Sequence, residues 1–325
     1  MKFPRRRFLH LAAGAVALPA ISRIARAQSY PTRPVHLLVG YAAGGVNDII
    51  ARLTGQMLSE RLGQPFIIED RPGAGSNLAT EVVVRAAGDG YTLLEASASN
   101  AFNASLYEKL NFDFIRDIAP VAGTVRTANV MEVNPAVRAH SVPEFIAYAK
   151  ANPGKINMAS AGPGSSPHLC GELFKTLAGV DLVTVHYRGS GPALPDLMSG
   201  QVQVMFDSIV SSIGHIRAGR LRPLAVTSAN RMEALPDLPT VGDFVPGYEA
   251  GGWQGIGAPR NTPTEIVTRL NQEIDAGLAD PKMKARFVDL GGMVMLGSPA
   301  DFGKVIADET EKWGKVIRAA NIKAE

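Results

Sequence analysis

The stretch GYAAGGVND, residues 40–48, decides the fold class because it joins a strand-like run to a helix-like one. The apolar run 35–39 precedes it, and 49–62 follows with apolar residues at helical spacing before a stop at Gly63. A glycine-rich turn from a strand into a helix presents unpaired backbone N–H groups to an anion. We therefore predict an α/β layer with an anion-binding edge at this turn.

Short β-branched runs alternate with helical runs along the rest of the chain. The predicted strands are 35–39, 66–69, 91–96, 130–133, 156–160, 182–187, 202–206 and 224–227. The predicted helices include 143–152, 167–178 and 192–199, and we expect 263–320 to be almost entirely helical and to serve packing. Strands that alternate with helices of this length indicate parallel α/β layers.

Two breaks in this pattern predict two lobes. At AGTVRTAN, residues 122–129, a helical pattern gives way to a new series of strands, and at GYEAGG, residues 247–252, the chain becomes rich in glycine. If the chain crosses at both places, residues 29–125 plus 250–325 form one lobe and 126–249 the other. We expect a cleft between the lobes, with the two crossing segments as a hinge.

The first 27 residues have the pattern of a cleaved export signal. A basic start precedes an apolar stretch, 9–21, that is too short to span a bilayer, and Ala-Arg-Ala at 25–27 fits a cleavage site. RRRFL at 5–9 resembles the twin-arginine pattern of the Tat route, with a Sec signal as the alternative. The sequence predicts a protein exported to the periplasm.

Charge and cysteine content exclude several classes of function. The chain carries 33 Lys and Arg against 30 Asp and Glu, a net charge of +3, and loss of the basic signal leaves −3. Without a basic cluster we expect no binding of nucleic acid or anionic lipid. Cys170 is the only cysteine, so no internal disulfide forms, and the six histidines lack metal-ligand spacing. We expect a monomer without metal or cofactor.

Four loops at the carboxyl ends of predicted strands are rich in small and hydroxyl residues. They are 40–48, EASASN at 95–100, SAGPGSSPH at 160–168 and YRGSGPA at 187–193, two in each lobe. Ligands of open parallel sheets bind at such loops, and helix N-termini bind anions. The loops predict a cleft for a small carboxylate, and tight turns alone are the alternative. Arg188 is their only fixed positive charge, so backbone N–H groups and hydroxyls would supply most of the binding.

Individual residues in and near these loops have specific predicted roles. Ser166 is expected to cap its helix at the N-terminus, with Pro167 in the first helical position. Asp48 is expected to cap the helix that follows the first loop. Asp207, which follows a predicted strand, either faces the cleft or caps a helix.

Enzymatic motifs are missing from the sequence. The first loop lacks the Lys-Ser/Thr of a phosphate-binding loop, and no G-x-S-x-G nucleophile motif occurs. Cys170 and His168 are two residues apart and therefore point to different faces of a helix. An exported hydrolase or isomerase that uses one of them remains an alternative, as does a ligand sensor for a signalling partner.

Five segments carry the motifs of a known family, in order along the chain. They are 30–94, which contains YPTRPVHLLVGYAAGGVND, then NPGKINMASAGPGSSPHLCGELF at 152–174, YRGSGPALPDLMSGQVQVMFDS at 187–208, LRPLAVTSANRMEALPDLPTVGD at 221–243 and WGKVIRAANI at 313–322. Together they resemble the solute-binding receptors of tripartite tricarboxylate transporters, the Bug family. The resemblance covers essentially the whole exported chain.

This resemblance implies a two-lobed α/β periplasmic binding protein of the Venus-flytrap kind, type II-like, with a parallel-rich sheet in each lobe and no catalysis. It would capture a small organic acid, a mono- or dicarboxylate with aromatic acids included, and deliver it to a membrane permease. The loops 41–48 and 161–168 would hold the acid. The candidate ligand-binding residues are Tyr41, Ala43, Gly44, Asn47, Asp48, Ser97, Asn100, Ala161, Gly162, Gly164, Ser165, Ser166, His168, Arg188, Gly189, Ser190 and Asp207.

Two positions depart from the family pattern. Relatives carry Pro-Gly-Gly-x-Thr-Asp or similar where this chain has Ala-Gly-Gly-Val-Asn-Asp at 43–48, so Asn47 replaces a hydroxyl. Arg188 replaces the usual Lys, and its guanidinium could hold a carboxylate through two hydrogen bonds. Both changes leave the identity of the ligand open.

Overall fold

The structure, a computed structural model, describes residues 30–323 and contains two β-sheets flanked by helices. The predicted export signal, 1–27, lies outside the described residues. The strands are β1 Val35–Val39, β2 Phe66–Asp70, β3 Thr92–Ser97, β4 Ile118–Thr127, β5 Asn129–Val133, β6 Asn157–Ser160, β7 Val183–His186, β8 Val204–Ser208, β9 Arg222–Val226, β10 Gly252–Pro259 and β11 Gly292–Val294.

Helices follow most of these strands. They are α1 Val46–Leu62, α2 Asn77–Val84, α3 Ala98–Leu106, α4 Phe114–Asp117, α5 Val142–Ala151, α6 Ser166–Ala178, α7 Ser190–Ser199, α8 Ile209–Arg217, α9 Thr264–Leu278, α10 Pro281–Asp289 and α11 Pro299–Ala319. No helix in the range 30–323 has the length and apolar character needed to cross a membrane.

Each sheet combines parallel strands with antiparallel ones, and in the first sheet both β10 and β11 run antiparallel to β4. The first sheet has the order β11-β4-β10-β3-β1-β2, in which β1 pairs in parallel with β2 and β3, and β10 runs antiparallel to β3 and β4. The second has the order β7-β6-β8-β5-β9, in which β6 pairs in parallel with β7 and β8, and β5 is antiparallel to β8 and β9. We call each sheet with its helices a lobe, the six-stranded one first.

The chain crosses between the two sheets twice. β4 of the first sheet ends at Thr127 and β5 of the second begins at Asn129, so Ala128 alone separates them. The chain returns through residues 227–251, between β9 and β10. The predicted two-lobed α/β fold with parallel-rich sheets is confirmed. The boundaries given above, 29–125 plus 250–325 and 126–249, stay a prediction.

Three strands of the first sheet were absent from the sequence-based prediction. β4 and β10 contain glycine and proline, which are typical of turns, and β11 is a strand of three residues in the region expected to be almost entirely helical. A Cβ at Gly255 of β10 would lie 2.3 Å from the Phe302 ring of α11. Glycine in β10 therefore allows close packing of a helix on the sheet rather than a turn.

Aromatic side chains form the core of the second lobe. Phe174 of α6 is fully buried, and its ring centroid lies 5.2 Å from that of Phe206 on β8 and 6.3 Å from that of Phe145 on α5. This packing fixes α6 against the sheet and so sets the position of the N-terminus of that helix.

Phe174→Ala should lower the free energy of unfolding by about 3–5 kcal/mol, because it removes a buried ring and leaves a cavity. Leu177→Ala on the same helix is the matched control, since the Leu177 side chain is 42% exposed and should change the value by about 0.5 kcal/mol or less. Urea unfolding followed by circular dichroism measures both. Equal effects would contradict the assignment of Phe174 to the core.

Candidate functional site

Four helix N-termini meet at an enclosed cavity between the lobes. Its volume is about 30 Å³. α1 and α3 contribute from the first lobe, α6 and α7 from the second, and β10 closes one side. The lining residues are Tyr41, Gly45, Val46, Asn47, Ser97, Ala98, Ser99, Ala161, Ser165, Ser166, Pro167, Ser190, Gly252 and Gln254.

Two of these four helices begin without a side-chain cap. The N-cap residues of α1 and α7 are Gly45 and Gly189, which have no side chain to offer. α3 begins with a capping box, in which the Ser97 hydroxyl faces the Asn100 N–H and Asn100 Oδ1 accepts from the Ser97 N–H at 2.9 Å. α6 is capped by Ser165 Oγ, which accepts from the His168 N–H at 3.2 Å. Backbone N–H donors of α1 and α7 are therefore available to an anion.

Two capping roles predicted from the sequence are wrong. Asp48 is the third residue of α1, where its Oδ2 accepts from the Gly44 N–H at 2.8 Å and its Oδ1 pairs with Arg52 Nε at 2.6 Å. Ser166 is the first residue of α6 rather than its N-cap, and its hydroxyl donates to Asn129 Oδ1 at 3.0 Å. In both helices the N-cap residue lies one or more positions before the residue whose side chain is typical of an N-cap.

Most polar side chains at the cavity already bond to the protein. Asn47 Nδ2 donates to Glu95 Oε2 at 2.8 Å, and the Tyr41 hydroxyl donates to Ser99 Oγ at 2.7 Å. The Ser190 hydroxyl donates to Asp207 Oδ1 at 2.5 Å, so Asp207 lies behind the cavity and orients Ser190. Asn100 donates to Thr80 Oγ1 at 2.9 Å and is likewise a supporting residue.

The electrostatics of the cavity depend on backbone dipoles. Among the described residues, none with a charged side chain lines it. The carboxyl groups directly behind it, Glu95 and Asp207, are fully buried, and this burial raises the pKa of each above its ordinary value. A raised pKa favours the neutral acid and so reduces repulsion of an anion in the cavity.

A second, larger cavity adjoins the first. Its volume is about 250 Å³, and Tyr41 and Ala161 line both. Arg188 and Gly162 line this second cavity and not the first. The structure therefore places Arg188 beside the four helix N-termini rather than among them.

The remaining candidate residues lie at the contact between the lobes or away from the cavity. Ala43 contacts Gly191 through its carbonyl group, and Gly164 packs against Asn103. The N–H of Gly164 donates to His168 Nδ1 at 3.2 Å, and the His168 ring lies against that of His186 with centroids 4.9 Å apart. The sequence-based prediction missed the cavity residues of β10, chiefly Gln254, because the strand itself was not predicted.

The lobes touch through backbone groups. The Ala42 N–H donates to the Arg188 carbonyl at 2.9 Å. A Cβ at Gly191 would lie 2.0 Å from the Ala43 carbonyl oxygen, and one at Gly75 would lie 2.5 Å from that of Pro163. Glycine at these positions permits the close approach that encloses the cavity.

The residues named for enzymatic chemistry lack a reactive environment. Burial raises the pKa of the Cys170 thiol to about 12, so it stays protonated at neutral pH. Burial, together with the neighbouring His186, lowers the pKa of His168 to about 4. Neither side chain lines the enclosed cavity.

A two-lobed α/β fold with helix N-termini around an interlobe cavity is that of a solute-binding protein. Residues 50–322 match the family model described as tripartite tricarboxylate transporter family receptor. This match spans most of the chain, and the chain belongs to that family. Its members are receptors rather than enzymes, and they serve a membrane transporter.

Similarity to individual relatives and solved structures supports this family assignment. Protein BugT of Bordetella pertussis is 33% identical over 311 residues, 95% of each chain. The solved structure of R. palustris Rpa4515 with adipate is 38% identical, with a TM-score of 0.88 over 90% of this chain and 99% of that one. MatC from Rhodopseudomonas palustris with bound malate is 32% identical, with a TM-score of 0.85 over 89% of this chain and 100% of that one.

Gly191→Ala should keep the lobes apart. The added methyl would lie 2.0 Å from a carbonyl oxygen, whereas ordinary van der Waals contact begins at 3.4 Å. We expect a larger radius of gyration in small-angle X-ray scattering and weaker ligand binding, with both lobes folded. Gly214→Ala, where a Cβ meets nothing within 4 Å, is the control and should match the wild type. Unchanged scattering in both variants would show that the contact relaxes.

His168 should make the protein less stable at acidic pH. Its pKa is about 4 in the folded state against the ordinary histidine value of 6.5, so the unfolded chain binds more protons between these values. The contribution of neutral His168 to the free energy of unfolding is fully present above pH 6.5. The free energy of unfolding falls by about 3 kcal/mol as the pH drops to 4. His168→Gln should lose this part of the pH dependence in urea unfolding. Parallel pH profiles of wild type and variant would contradict the prediction.

Proposed function

We propose that this chain captures a small organic acid, a mono- or dicarboxylate, in the enclosed cavity and delivers it to the permease of a tripartite tricarboxylate-type transporter. Four helix N-termini meet at one cavity, and two of these helices have no side-chain cap. No charged side chain of the described residues lines this cavity, and this arrangement is the observation that carries the proposal. Each helix N-terminus is equivalent to roughly half a positive charge.

The uncapped helices bind the carboxylate oxygens through backbone N–H groups in this proposal. Hydrogen bonds to a charged acceptor contribute about 1.5–3 kcal/mol each, so a few of them suffice for useful affinity without a salt bridge. The adipate and malate of the two solved relatives are dicarboxylates, which supports the same class of ligand here. Two carboxylate groups would allow one acid to engage helices of both lobes.

Capture requires the lobes to open. A volume of about 30 Å³ is enough for water but far below the roughly 300 Å³ of the smallest pockets for larger ligands. We propose that the crossing at Ala128 and the return through 227–251 form the hinge between lobes 29–125 plus 250–325 and 126–249. An acid that bonds to both lobes favours the closed form, and the permease recognises that form.

The proposal includes the location and state of the protein. The segment 1–27 directs export, by the Tat route, and is removed, so that the receptor acts in the periplasm as a monomer. A monomer suits a receptor that must present one closed surface to its permease.

Isothermal titration calorimetry and thermal unfolding of residues 28–325 test the proposal with mono-, di- and tricarboxylates and their methyl esters. At about 100 times its dissociation constant, a bound acid should raise the free energy of unfolding by about 2.7 kcal/mol. The matched ester, which has the same shape without the charge, should have no effect. Binding of esters as tight as that of acids, or binding of neutral solutes only, would overturn the proposal.

The variant Arg188→Ala tests whether the helix N-termini or the Arg188 guanidinium contribute most of the affinity for the acid. Arg188 lines the neighbouring cavity, so its loss should weaken acid binding only a few-fold. A carboxylate held directly by the guanidinium would instead lose about 1.5–3 kcal/mol, roughly 10- to 150-fold in affinity. Such a loss would indicate that the acid binds in the second cavity.

A further inference from the structure

We infer that Ser97 and Gln254 form a selectivity pair that favours acids bearing a hydroxyl group over the unsubstituted acids of the same length. This inference rests on the proposed function, because it concerns the ligand of the same cavity. It assigns a role to Gln254, which lies on a strand that the loops and their motifs do not include.

The two side chains differ from every other polar side chain that the described residues place at the cavity. Tyr41, Asn47, Ser165, Ser166 and Ser190 each bond to another group of the protein. Ser99 of α3, which also lines the cavity, accepts from the Tyr41 hydroxyl.

Gln254 Oε1 is instead buried without a hydrogen-bond partner among the described residues. The Ser97 hydroxyl faces the Asn100 N–H in the capping box of α3, but its own O–H has no acceptor among those residues. Each of these two residues is 4% exposed, and both line the cavity. A native protein rarely leaves two such atoms unpaired, so their placement indicates a bound group that the protein itself does not supply.

The register of the first sheet places the two residues side by side. Gln254 of β10 is the antiparallel partner of Ser97 at the end of β3. Side chains of directly opposed residues project from the same face of a sheet, with Cβ atoms about 4.5–5.5 Å apart. One small group can therefore contact both side chains at once.

The chemistry of the pair favours a group that both donates and accepts. Gln254 Oε1 accepts a hydrogen bond, and the Ser97 hydroxyl donates one. A ligand hydroxyl can donate to the amide oxygen and accept from the serine. A carboxylate only accepts, and a methylene does neither, so each leaves at least one buried atom unpaired.

Displacement of water makes this difference matter for binding. The cavity has room for water, which satisfies both atoms before the ligand enters. A ligand that expels this water must replace its hydrogen bonds or lose affinity. A site with buried polar groups discriminates against an analogue that lacks the matching hydroxyl by about tenfold to a hundredfold, and in favourable cases more.

Isothermal titration calorimetry with matched acids tests the inference. The pairs are malate against succinate and 2-hydroxyglutarate against glutarate. For the chain length that binds, the hydroxy acid should bind the wild type about 10- to 100-fold more tightly. Gln254→Leu and Ser97→Ala should each reduce this ratio to about threefold or less, because each removes a partner of the ligand hydroxyl.

Thr124→Val is the matched control. Thr124 lies on β4 of the same sheet, is buried, and has an unpaired hydroxyl that does not line the cavity. This variant should keep the wild-type ratio. If Gln254→Leu does not fold, Ser97→Ala decides, once circular dichroism has shown that this variant keeps the wild-type helix content, because Ser97 belongs to the capping box of α3.

Three results would overturn the inference. A wild-type ratio near one would exclude selection by hydroxyl, and a ratio preserved in both variants would assign it to other residues. Equal weakening of all acids would show a merely structural role for the pair. With each of these three results the wild type still binds acids. Binding of no acid at all by the wild type would overturn the proposed function together with the inference.

Discussion

The N–H groups at the starts of α1 and α7, which no side chain caps, constrain most of this structure. Every α-helix leaves its first N–H groups without partners, and water or a side-chain cap normally satisfies them. Here these helix ends are buried between the lobes, where an unpaired donor costs about 1–3 kcal/mol. Glycine at the N-caps Gly45 and Gly189 gives up the stability that serine or aspartate would provide. In the proposed function a carboxylate between the lobes supplies the missing acceptor, which couples binding to the closed arrangement.

The contact between the lobes follows from the same constraint. Helix N-termini from two lobes can share one ligand only if their backbones approach closely, and a Cβ at Gly191 or Gly75 would prevent this. The direct bond from the Ala42 N–H to the Arg188 carbonyl shows how little space separates the two loops. Arg188 thus contributes its backbone to the contact, and the residue also lines the second cavity.

Buried carboxyl groups support the site without opposing an anion. Glu95 accepts from Asn47, and Asp207 accepts from Ser190, so each fixes a side chain at the edge of the cavity. Burial raises the pKa of both carboxyl groups, which favours their neutral forms and so reduces repulsion of an anion. Asn47 has a physical role in this arrangement, since its amide donates to Glu95.

Local sequence alone determined the α/β class, the two lobes and the four loops. Strand-to-helix alternation and a glycine-rich turn such as 40–48 are properties of neighbouring residues, and they persist whatever the chain packs against. Only the tertiary structure decided that β10 is a strand, because its glycines serve packing against α11 and its neighbours β3 and β4 are distant in sequence. For the same reason the pairing of Ser97 with Gln254 and the placement of Arg188 could not be predicted. Which side chains face one cavity depends on long-range register and on the approach of two lobes, and neither leaves a local pattern.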